Sequence, residues 1–296
     1  MRVYGVVLSG GVSRRFGGDK ALALLDGEPL VRHVAKSLHE AVDEVWLSVK
    51  DARRGEELVK ACEPYVSGYI VDEFPAGPLS GVLTAAKRLG ADAMVTCPTD
   101  TPRIKPTTFK KLVEQFLDNS PSALSVVWGN GMVETLVQVL SIDTVKHYLE
   151  KVFAQRRGLY RASDMLRCAD RLLLVVGFKL SSDPYEFANI NTADDLVNPK
   201  PRPDRGSLVK DDILLTESLE HFHQAAAYTE ENLFNEAAQE YLYEALALLS
   251  HGVAHLTAHA LTDASKMFEK AGSSGAATLC ARMDAYIRRK MLPSMR

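Results

Sequence analysis

The sequence is poor in cysteine, and its cysteines do not form a recognisable framework. Among 296 residues there are four cysteines, and none has a partner at the C-x-x-C spacing. This scarcity argues against a zinc ribbon and against a set of stabilising disulfides. We therefore expect four reduced thiols that act as small core side chains, at Cys62, Cys97, Cys168 and Cys280.

Long hydrophobic runs and an excess of charge of one sign are also missing. No apolar stretch approaches the roughly 18 residues that a membrane-spanning helix needs. The first apolar strand begins after two residues, which leaves no room for a signal peptide. A net charge of −3 does not favour a nucleic-acid partner. We expect a cytoplasmic protein that binds neither membranes nor nucleic acids.

Apolar runs and helical patterns alternate up to residue 197. The predicted strands are 3–8, 45–49, 69–71 and 93–97, and the predicted helices between them are 30–42, 55–62 and 79–89. This alternation predicts an α/β domain over residues 1–197, with a mostly parallel sheet flanked by helices.

The composition changes after residue 197. Residues 198–207 contain three prolines and alternating charges, which predicts an extended linker. Helical periodicity then predicts an all-α domain over 208–296, with helices near 211–230, 233–249, 253–271 and 274–291. Residues 225–245 resemble one tetratricopeptide-type helical hairpin. From Ser207 onward there are eight basic and twelve acidic residues, so we expect this domain to bind a protein partner or to self-associate, not to bind a polyanion.

The segment after the first strand combines glycines with basic side chains. It reads L-S-G-G-V-S-R-R-F-G-G-D-K from Leu8 to Lys20. Glycines let backbone N–H groups approach an anion closely, and the basic side chains can neutralise a triphosphate. The segment is not a Walker A loop, because Ala21 follows the lysine, and it is not a G-x-G-x-x-G dinucleotide fingerprint. We predict a nucleotide-phosphate site here.

The same loop, written L-x-G-G-x-S-x-R-x-G-x-D-K, resembles that of the molybdenum cofactor guanylyltransferase family, whose members are nucleotidyltransferases with a Rossmann-like fold. The matching positions are Leu8, Gly10, Gly11, Ser13, Arg15, Gly17, Asp19 and Lys20. The resemblance implies that the nucleotide is contacted by Leu8, Ser9, Gly10 and Gly11. It also implies that Arg15 and Lys20 are catalytic residues that bind the phosphates.

An aspartate stands just beyond the fourth predicted strand. Asp100 lies in C-P-T-D-T-P, between Pro98 and Pro102. Open α/β sheets bind ligands at this end of their strands, and a carboxylate there can hold Mg²⁺ against a phosphate. The segment resembles the family's C-P-x-D-x-P element, which implies that Asp100 is the catalytic metal ligand. The alternative is an aspartate that caps the helix beginning near Pro106.

Two further segments follow the order of the family's motifs. Asp72 opens D-E-F-P-A-G-P-L-S-G, which implies a nucleotide contact, and the alternative is a structural Gly-Pro helix start. Asn189 and Asn191 lie in N-I-N-T-A-D-D-L, which implies contacts with the metal, the phosphates or the second substrate. A helix cap at Asn191 or Thr192 is the alternative, and both roles can coexist.

The role of two other groups stays open at this level. Glu134, in the turn and strand at 129–137, is either a contact to the acceptor or a strand residue that pairs with a neighbour. His251, His255 and His259 recur every four residues, which predicts three imidazoles on one helical face. Helix packing is favoured over a metal site for them, because one zinc ion rarely takes three ligands from a single straight helix.

The resemblance implies a complete reaction. The chain would transfer GMP from GTP, with Mg²⁺, to the phosphate of a molybdopterin-type cofactor and release pyrophosphate. Gly10 and Gly11 favour GTP, because related cytidylyltransferases commonly have alanine before the glycine. Positioning and electrostatics would carry the rate without a protein nucleophile. The alternatives are cytidylyl transfer to the same cofactor, nucleotidyl transfer to a sugar phosphate or phospholactate, and a helical adaptor for a partner protein.

Overall fold

The structure is a computed structural model that describes residues 1–11, 16–156, 160–202, 208–216 and 220–292. Within these residues, eight strands form one sheet in the order β10-β9-β7-β8-β6-β1-β4-β5, and two short strands, β2 and β3, form a separate ribbon. The strands are β1 (Val3–Leu8), β2 (Leu24–Leu25), β3 (Glu28–Pro29), β4 (Glu44–Val49), β5 (Gly68–Val71), β6 (Ala93–Pro98), β7 (Ala123–Val127), β8 (Val133–Ser141), β9 (Leu172–Val176) and β10 (Ile213–Leu215).

The helices alternate with these strands and then continue alone. They are α1 (Leu30–His39), α2 (Ala52–Cys62), α3 (Pro78–Arg88), α4 (Pro106–Asn119), α5 (Ile142–His147), α6 (Asp164–Arg167), α7 (Gly177–Leu180), α8 (Asp194–Val197), α9 (Glu220–Glu230), α10 (Phe234–Ser250), α11 (Ala254–Lys270) and α12 (Ser274–Lys290). A 3-10 turn covers Lys20–Leu22, and a π-helical turn covers Tyr148–Val152.

The nucleus of the sheet is the parallel arrangement of β1, β4, β5 and β6. Strand β1 pairs in parallel with β4 on one side and with β6 on the other, and all six of its residues are buried. A short apolar run of this kind is typical of a central parallel strand that is covered on both faces. Strand β8 pairs antiparallel with β6 and β7, and β7 pairs in parallel with β9. The predicted α/β class, with helices after the sheet, is confirmed.

The first helices bury one face on the sheet, as their periodicity predicts. In α1 the apolar residues Leu30, Val34 and Leu38 are at most 1% exposed, because a spacing of three to four residues keeps side chains on one side of a helix. Helix α2 begins at Ala52, earlier than predicted, because the Asp51 carboxylate accepts a hydrogen bond from the amide N of Arg54 and caps it.

The segment between the proline-rich stretch and α9 differs from the prediction. A helix was expected from residue 211, whereas Ile213–Leu215 forms strand β10, which pairs antiparallel with β9. Helix α9 begins at Glu220. Three apolar residues in a row suit either a strand or a helix, and the free edge of β9 decides in favour of the strand. The chain therefore adds a strand to the sheet before the last helices begin.

Helices α9 to α12 pack on the sheet unit through a shared core and a cluster of buried charges. Arg167 contacts Glu244 in α10 (Nη2 to Oε2, 2.6 Å) and Asp263 in α11 (Nη1 to Oδ2, 2.8 Å). Arg156 contacts the same Asp263 at 2.9 Å and Asp164 at 3.1 Å. All five side chains are at most 2% exposed. Such groups are tolerated in a core only when they are paired, so these contacts fix how the helices lie.

The cysteines and the lengths of the helices bear on two expectations from the sequence. All four cysteines are free and buried, which fits small core residues. Among the described residues, no helix is both long enough and apolar enough to cross a bilayer.

Candidate active site

A cavity of about 530 Å³ opens at the carboxyl ends of the parallel strands. Successive parallel strands deliver their following residues to the same edge of the sheet, which is where α/β sheets bind ligands. The residues that line the cavity come from the ends of β1, β4, β5 and β6 and from the segments that follow them. They include Leu8, Ser9, Gly10, Gly11, Lys20, Ser48, Lys50, Arg54, Asp72, Thr99 and Asp100.

Gly10 and Asp72 meet across this cavity. The Oδ1 atom of Asp72 accepts a hydrogen bond from the hydroxyl of Ser48 at 2.6 Å. A Cβ atom at position 10 would collide with the other carboxylate oxygen of Asp72, whereas at Gly11 it would meet nothing within 4 Å. Burial raises the pKa of Asp72, and the hydrogen bond from Ser48 opposes that shift. The absence of a Cβ atom at Gly10 therefore allows the Asp72 carboxylate to lie against the loop.

Lys20 and Asp100 form an ion pair at the same edge. The Nζ atom of Lys20 lies 2.9 Å from Oδ2 of Asp100, and the side chains are 17% and 21% exposed. Lys20 begins the 3-10 turn, which is capped by the carboxylate of Asp19 on the amide N of Ala21. The fold thus brings the predicted phosphate ligand and the predicted metal ligand into contact, although they are 80 positions apart in the sequence.

One arginine that the sequence did not single out lines the cavity. Arg54, near the start of α2, lies there and pairs with Asp19 and Glu57. The predicted catalytic residue Arg15 lies outside the described residues, together with Ser13 of the same motif, so its role stays a prediction. Sequence reasoning missed Arg54, although its position directly after β4 is a signal, because helices that follow parallel strands begin at the ligand-binding edge.

A second cavity of about 320 Å³ adjoins the first. It is lined by Pro98, Asp100, Thr101, Met132, Val133, Glu134, Thr135, Leu136, Val137, Asn189, Asn191, Arg202 and His255. Three of these residues, Pro98, Asp100 and Leu136, also line the first cavity. The two cavities therefore meet at Asp100, so that two ligands could approach each other there.

Glu134 lines the second cavity and its carboxylate is paired with neighbouring side chains. A contact of Glu134 with the acceptor stays a prediction. Its Oε1 atom accepts a hydrogen bond from Nε1 of Trp128 at 2.7 Å, and its Oε2 atom accepts one from Nη2 of Arg202 at 2.9 Å. Burial raises the pKa of Glu134, and the charge of Arg202 opposes that shift.

The two predicted asparagines lie beside Asp100 in the second cavity. The backbone N of Ile190, between them, donates to the carbonyl O of Asp100 at 2.7 Å. The Oδ1 atom of Asn189 accepts a hydrogen bond from Nη2 of Arg202 at 2.9 Å. The predicted cap at Thr192 is present as a reciprocal contact: its hydroxyl accepts from the backbone N of Asp195 at 3.4 Å. In return, the carboxylate of Asp195 accepts from the backbone N of Asn191 at 2.9 Å and of Thr192 at 2.8 Å.

The three regularly spaced histidines do not share one helix. His251 is the residue after α10, whereas His255 and His259 lie in α11, so the expectation of one helical face is wrong. The Nδ1 atom of His255 lies 2.9 Å from the carbonyl O of Val133, and Nδ1 of His259 lies 2.8 Å from the hydroxyl of Ser163. Both rings therefore pack α11 against the sheet unit, as the favoured interpretation had it.

The match to a known family covers the part of the chain that lines the first cavity and part of the second. A model of the MobA-like NTP transferase domain matches residues 5–186. The chain belongs to this family. The MobA-like domain includes the loop after β1, Asp72, Asp100 and Glu134, whereas Asn189, Asn191, Arg202 and His255 follow it. Membership makes the protein a nucleotidyltransferase.

Curated relatives match this chain over nearly their whole length and share one name. The chain is 32% identical over 204 residues to a probable molybdenum cofactor guanylyltransferase of Thermococcus sibiricus, covering 67% of this chain and 97% of the relative. A protein of the same name from Thermococcus kodakarensis is 32% identical over 196 residues, which cover 66% and 92% of the two chains. Both matches leave about a third of this MobA-like chain unmatched.

Solved structures confirm the fold of the transferase part. The structure of molybdopterin-guanine dinucleotide biosynthesis protein A from Archaeoglobus fulgidus superposes with a TM-score of 0.55 at 23% identity, covering 67% of this chain and 96% of that one. At this level of identity the likeness concerns the fold alone.

Proposed function

We propose that the protein transfers GMP from GTP to the phosphate of a molybdopterin-type cofactor and releases pyrophosphate. One observation carries the proposal: the two cavities meet at Asp100, beside Lys20. Nucleotidyl transfer needs two ligands, a nucleotide and an acceptor, whose reacting phosphates approach at one point. The names of the relatives support the choice of GTP and of the acceptor.

The first cavity is assigned to the nucleotide. Backbone groups from Leu8 to Gly11 and the Asp72 carboxylate would contact the base and ribose side. Lys50 and Arg54, which line the same cavity as Lys20, add positive charge for the triphosphate. Arg15, which follows Gly11 in the loop, is expected to join them at the phosphates.

The second cavity is assigned to the acceptor. An oxygen of the acceptor phosphate would attack the α-phosphorus of GTP, and the bond from that phosphorus to the bridging oxygen of the β-phosphate would break. Pyrophosphate then carries away the electron pair, so no protein base has to remove a proton. Lys20 lies where it can stabilise the charge that builds on the α-phosphate, which is the main task in such transfers.

The residues present fit Mg²⁺ as the accompanying cation. Mg²⁺ in phosphoryl-transfer sites is commonly held by one or two carboxylates together with substrate phosphates, so a complete protein cage is not needed. Asp100 is the residue that would hold it, and when bound the cation would neutralise charge on the triphosphate.

The proposal is tested by calorimetric titration of the full chain with GTP, CTP, ATP and UTP, with and without Mg²⁺. We expect GTP to bind most tightly, and Lys20→Ala to weaken its binding at least about tenfold, because an ion–phosphate contact is lost. Asp100→Asn should remove most of the gain that Mg²⁺ gives. Lys60→Ala, a change far from the cavity in α2, serves as the control for overall charge. Preference for another nucleotide would overturn the guanylyl assignment.

A further inference from the structure

The part of the chain that follows the family match reaches back to the second cavity at two places. Arg202, in the proline-rich segment, lines the cavity, and so does His255 at the start of α11. The backbone N of Arg202 donates to the carbonyl O of Pro184 at 2.8 Å, which holds this residue against the sheet unit. The matched domain ends at residue 186, so neither side chain belongs to it.

Close backbone contacts hold α11 at this position. Gly131, in the turn between β7 and β8, has a φ of +79°, and a Cβ atom there would collide with the carbonyl O of Gly252. The carbonyl O of Gly131 also accepts a hydrogen bond from the backbone N of His255 at 3.0 Å. The last helices are therefore fitted to the strand that carries Glu134, and they do not simply follow the transferase part.

Arg202 is held by two residues of the second cavity. Its Nη2 atom contacts Oε2 of Glu134 and Oδ1 of Asn189, both at 2.9 Å, and its Nε atom lies 2.7 Å from Oε1 of Glu134. The side chain is 14% exposed. Both hydrogen bonds are donated by Nη2, one to each residue, whereas Nε is buried and makes no hydrogen bond despite its short distance to Glu134. Two hydrogen bonds from one terminal nitrogen fix the plane of the guanidinium, which a lysine could not reproduce.

The hydrogen bonds of Arg202 to Glu134 and Asn189 determine which N–H donors remain for a ligand. Because Oδ1 of Asn189 accepts from Arg202, the amide must direct its Nδ2 hydrogens elsewhere. Among the described residues, neither Nδ2 of Asn189 nor Nη1 of Arg202 has a hydrogen-bond partner, and both side chains line the cavity. Two adjacent N–H groups, one of them charged, suit an oxyanion. Glu134 balances the charge of the guanidinium, so binding would depend on the geometry of these donors.

We propose that Arg202 completes the acceptor site from outside the transferase domain: it orients the Asn189 amide and, through Nη1, binds phosphate oxygens of the acceptor. This inference rests on the proposed function and adds that the acceptor is a phosphomonoester held by a residue of the C-terminal extension. It also gives the extension a task in the reaction, because the proline-rich segment must be held in place for Arg202 to reach Glu134.

The test compares Arg202→Lys with the unaltered full chain. Lysine keeps a positive charge beside Glu134, so the fold should survive, but it cannot contact Glu134, Asn189 and a ligand together. We expect the KM for molybdopterin to rise about tenfold or more and the KM for GTP to stay the same. Equilibrium binding of molybdopterin, followed by its fluorescence, should weaken by the same factor. Arg289→Lys, an exposed change in α12, is the matched control.

Each result decides the proposal. An unchanged KM and affinity for molybdopterin in Arg202→Lys would overturn it, and so would an equal rise in both KM values, since that indicates a general structural role. If the unaltered chain binds molybdopterin but prefers another nucleotide, the guanylyl assignment fails. The role of Arg202 is then decided only by the ratio of the molybdopterin affinities of the unaltered chain and Arg202→Lys. If the unaltered chain does not bind molybdopterin at all, the proposed function and this inference both fail. The double variant Glu134→Gln with Arg202→Met, which removes the buried pair together, should show the same loss of affinity.

Discussion

At the scale of single residues, the contact between Gly10 and Asp72 explains why the loop after β1 begins with two glycines. Only the first of them faces a carboxylate that leaves no room for a Cβ atom. The second glycine has open space around it. Packing therefore requires glycine at the first position of the pair but not at the second. A motif match treats the positions as equal, whereas the packing separates them.

This difference gives a direct prediction. Gly10→Ala should push the Asp72 carboxylate away from the loop, weaken GTP binding at least about tenfold and lower the free energy of unfolding by about 1–3 kcal/mol, because an added methyl group in a filled space forces neighbours to move. Gly11→Ala is the control for stability and should leave the free energy of unfolding almost unchanged. Urea denaturation and calorimetry measure both quantities. Equal stability losses in the two variants would contradict the assignment.

Residue-scale prediction from sequence succeeds where the chemistry is local and fails where it is not. Gly10, Asp72 and Asp100 each lie within two residues of the end of a strand, and the carboxyl ends of parallel strands meet at one edge, so the cavity could be anticipated. Arg202 could not, because its partner Glu134 is 68 positions away and the proline-rich segment between 198 and 207 suggests only an extended linker. Nothing in the local pattern indicates which carboxylate such an arginine meets.

At the scale of elements, strand β10 and helix α11 show how tertiary contacts override local patterns. Ile213–Leu215 is a strand because β9 offers a free edge. Most of the residues of helix α11 are buried, among them His255, and His259 is partly buried. The even spacing of the histidines therefore reflects packing, and its likeness to a ligand set is a coincidence of the helical repeat.

The burial of His255 predicts a pH dependence of stability. Its pKa is lowered from 6.5 to about 4, mainly by burial; the hydrogen bond to the backbone of Val133 opposes this shift, and the charges of Arg288 and Arg202 contribute to it. Between these two values the unfolded chain binds the proton and the folded chain does not. Stability is therefore complete above about pH 6.5 and falls as the pH is lowered towards 4, by up to about 3 kcal/mol for this group.

The measurement is the free energy of unfolding at several pH values for the unaltered chain and for His255→Asn. Asparagine keeps a hydrogen-bonding group near the position of Nδ1 but does not titrate, so the loss between pH 7 and pH 4.5 should be smaller in the variant. His251→Asn, at the exposed end of α10, should retain the full loss. Parallel curves for all three chains would show that His255 does not control this range. The burial of His259 lowers its pKa in the same direction, so part of the loss should persist in His255→Asn.

At the scale of the whole molecule, the last four helices are joined to the sheet unit by charges that have no access to water. Asp263 in α11 contacts Arg156 and Arg167 from the sheet unit, and the neighbouring arginines hold its pKa far below the usual range. The family model ends at residue 186, before these helices begin. In this chain the arginines and the helices depend on each other, because either partner alone would leave buried charge uncompensated.

The cluster therefore predicts a large and specific loss of stability. Asp263→Asn removes the charge that balances two buried guanidinium groups and should lower the free energy of unfolding by about 3–5 kcal/mol. Glu269→Gln, an exposed change in the same helix, should cost less than about 0.5 kcal/mol. Chemical denaturation followed by circular dichroism compares the two.

Because Asp263 lies in the same helix as His255, which lines the second cavity, Asp263→Asn should also weaken molybdopterin binding more than GTP binding. Equal losses of affinity for both ligands would mean that the helices support the whole fold and have no particular effect on the acceptor cavity. If Asp263→Asn were as stable as Glu269→Gln, the buried ion pairs would not be what holds the two parts of the chain together.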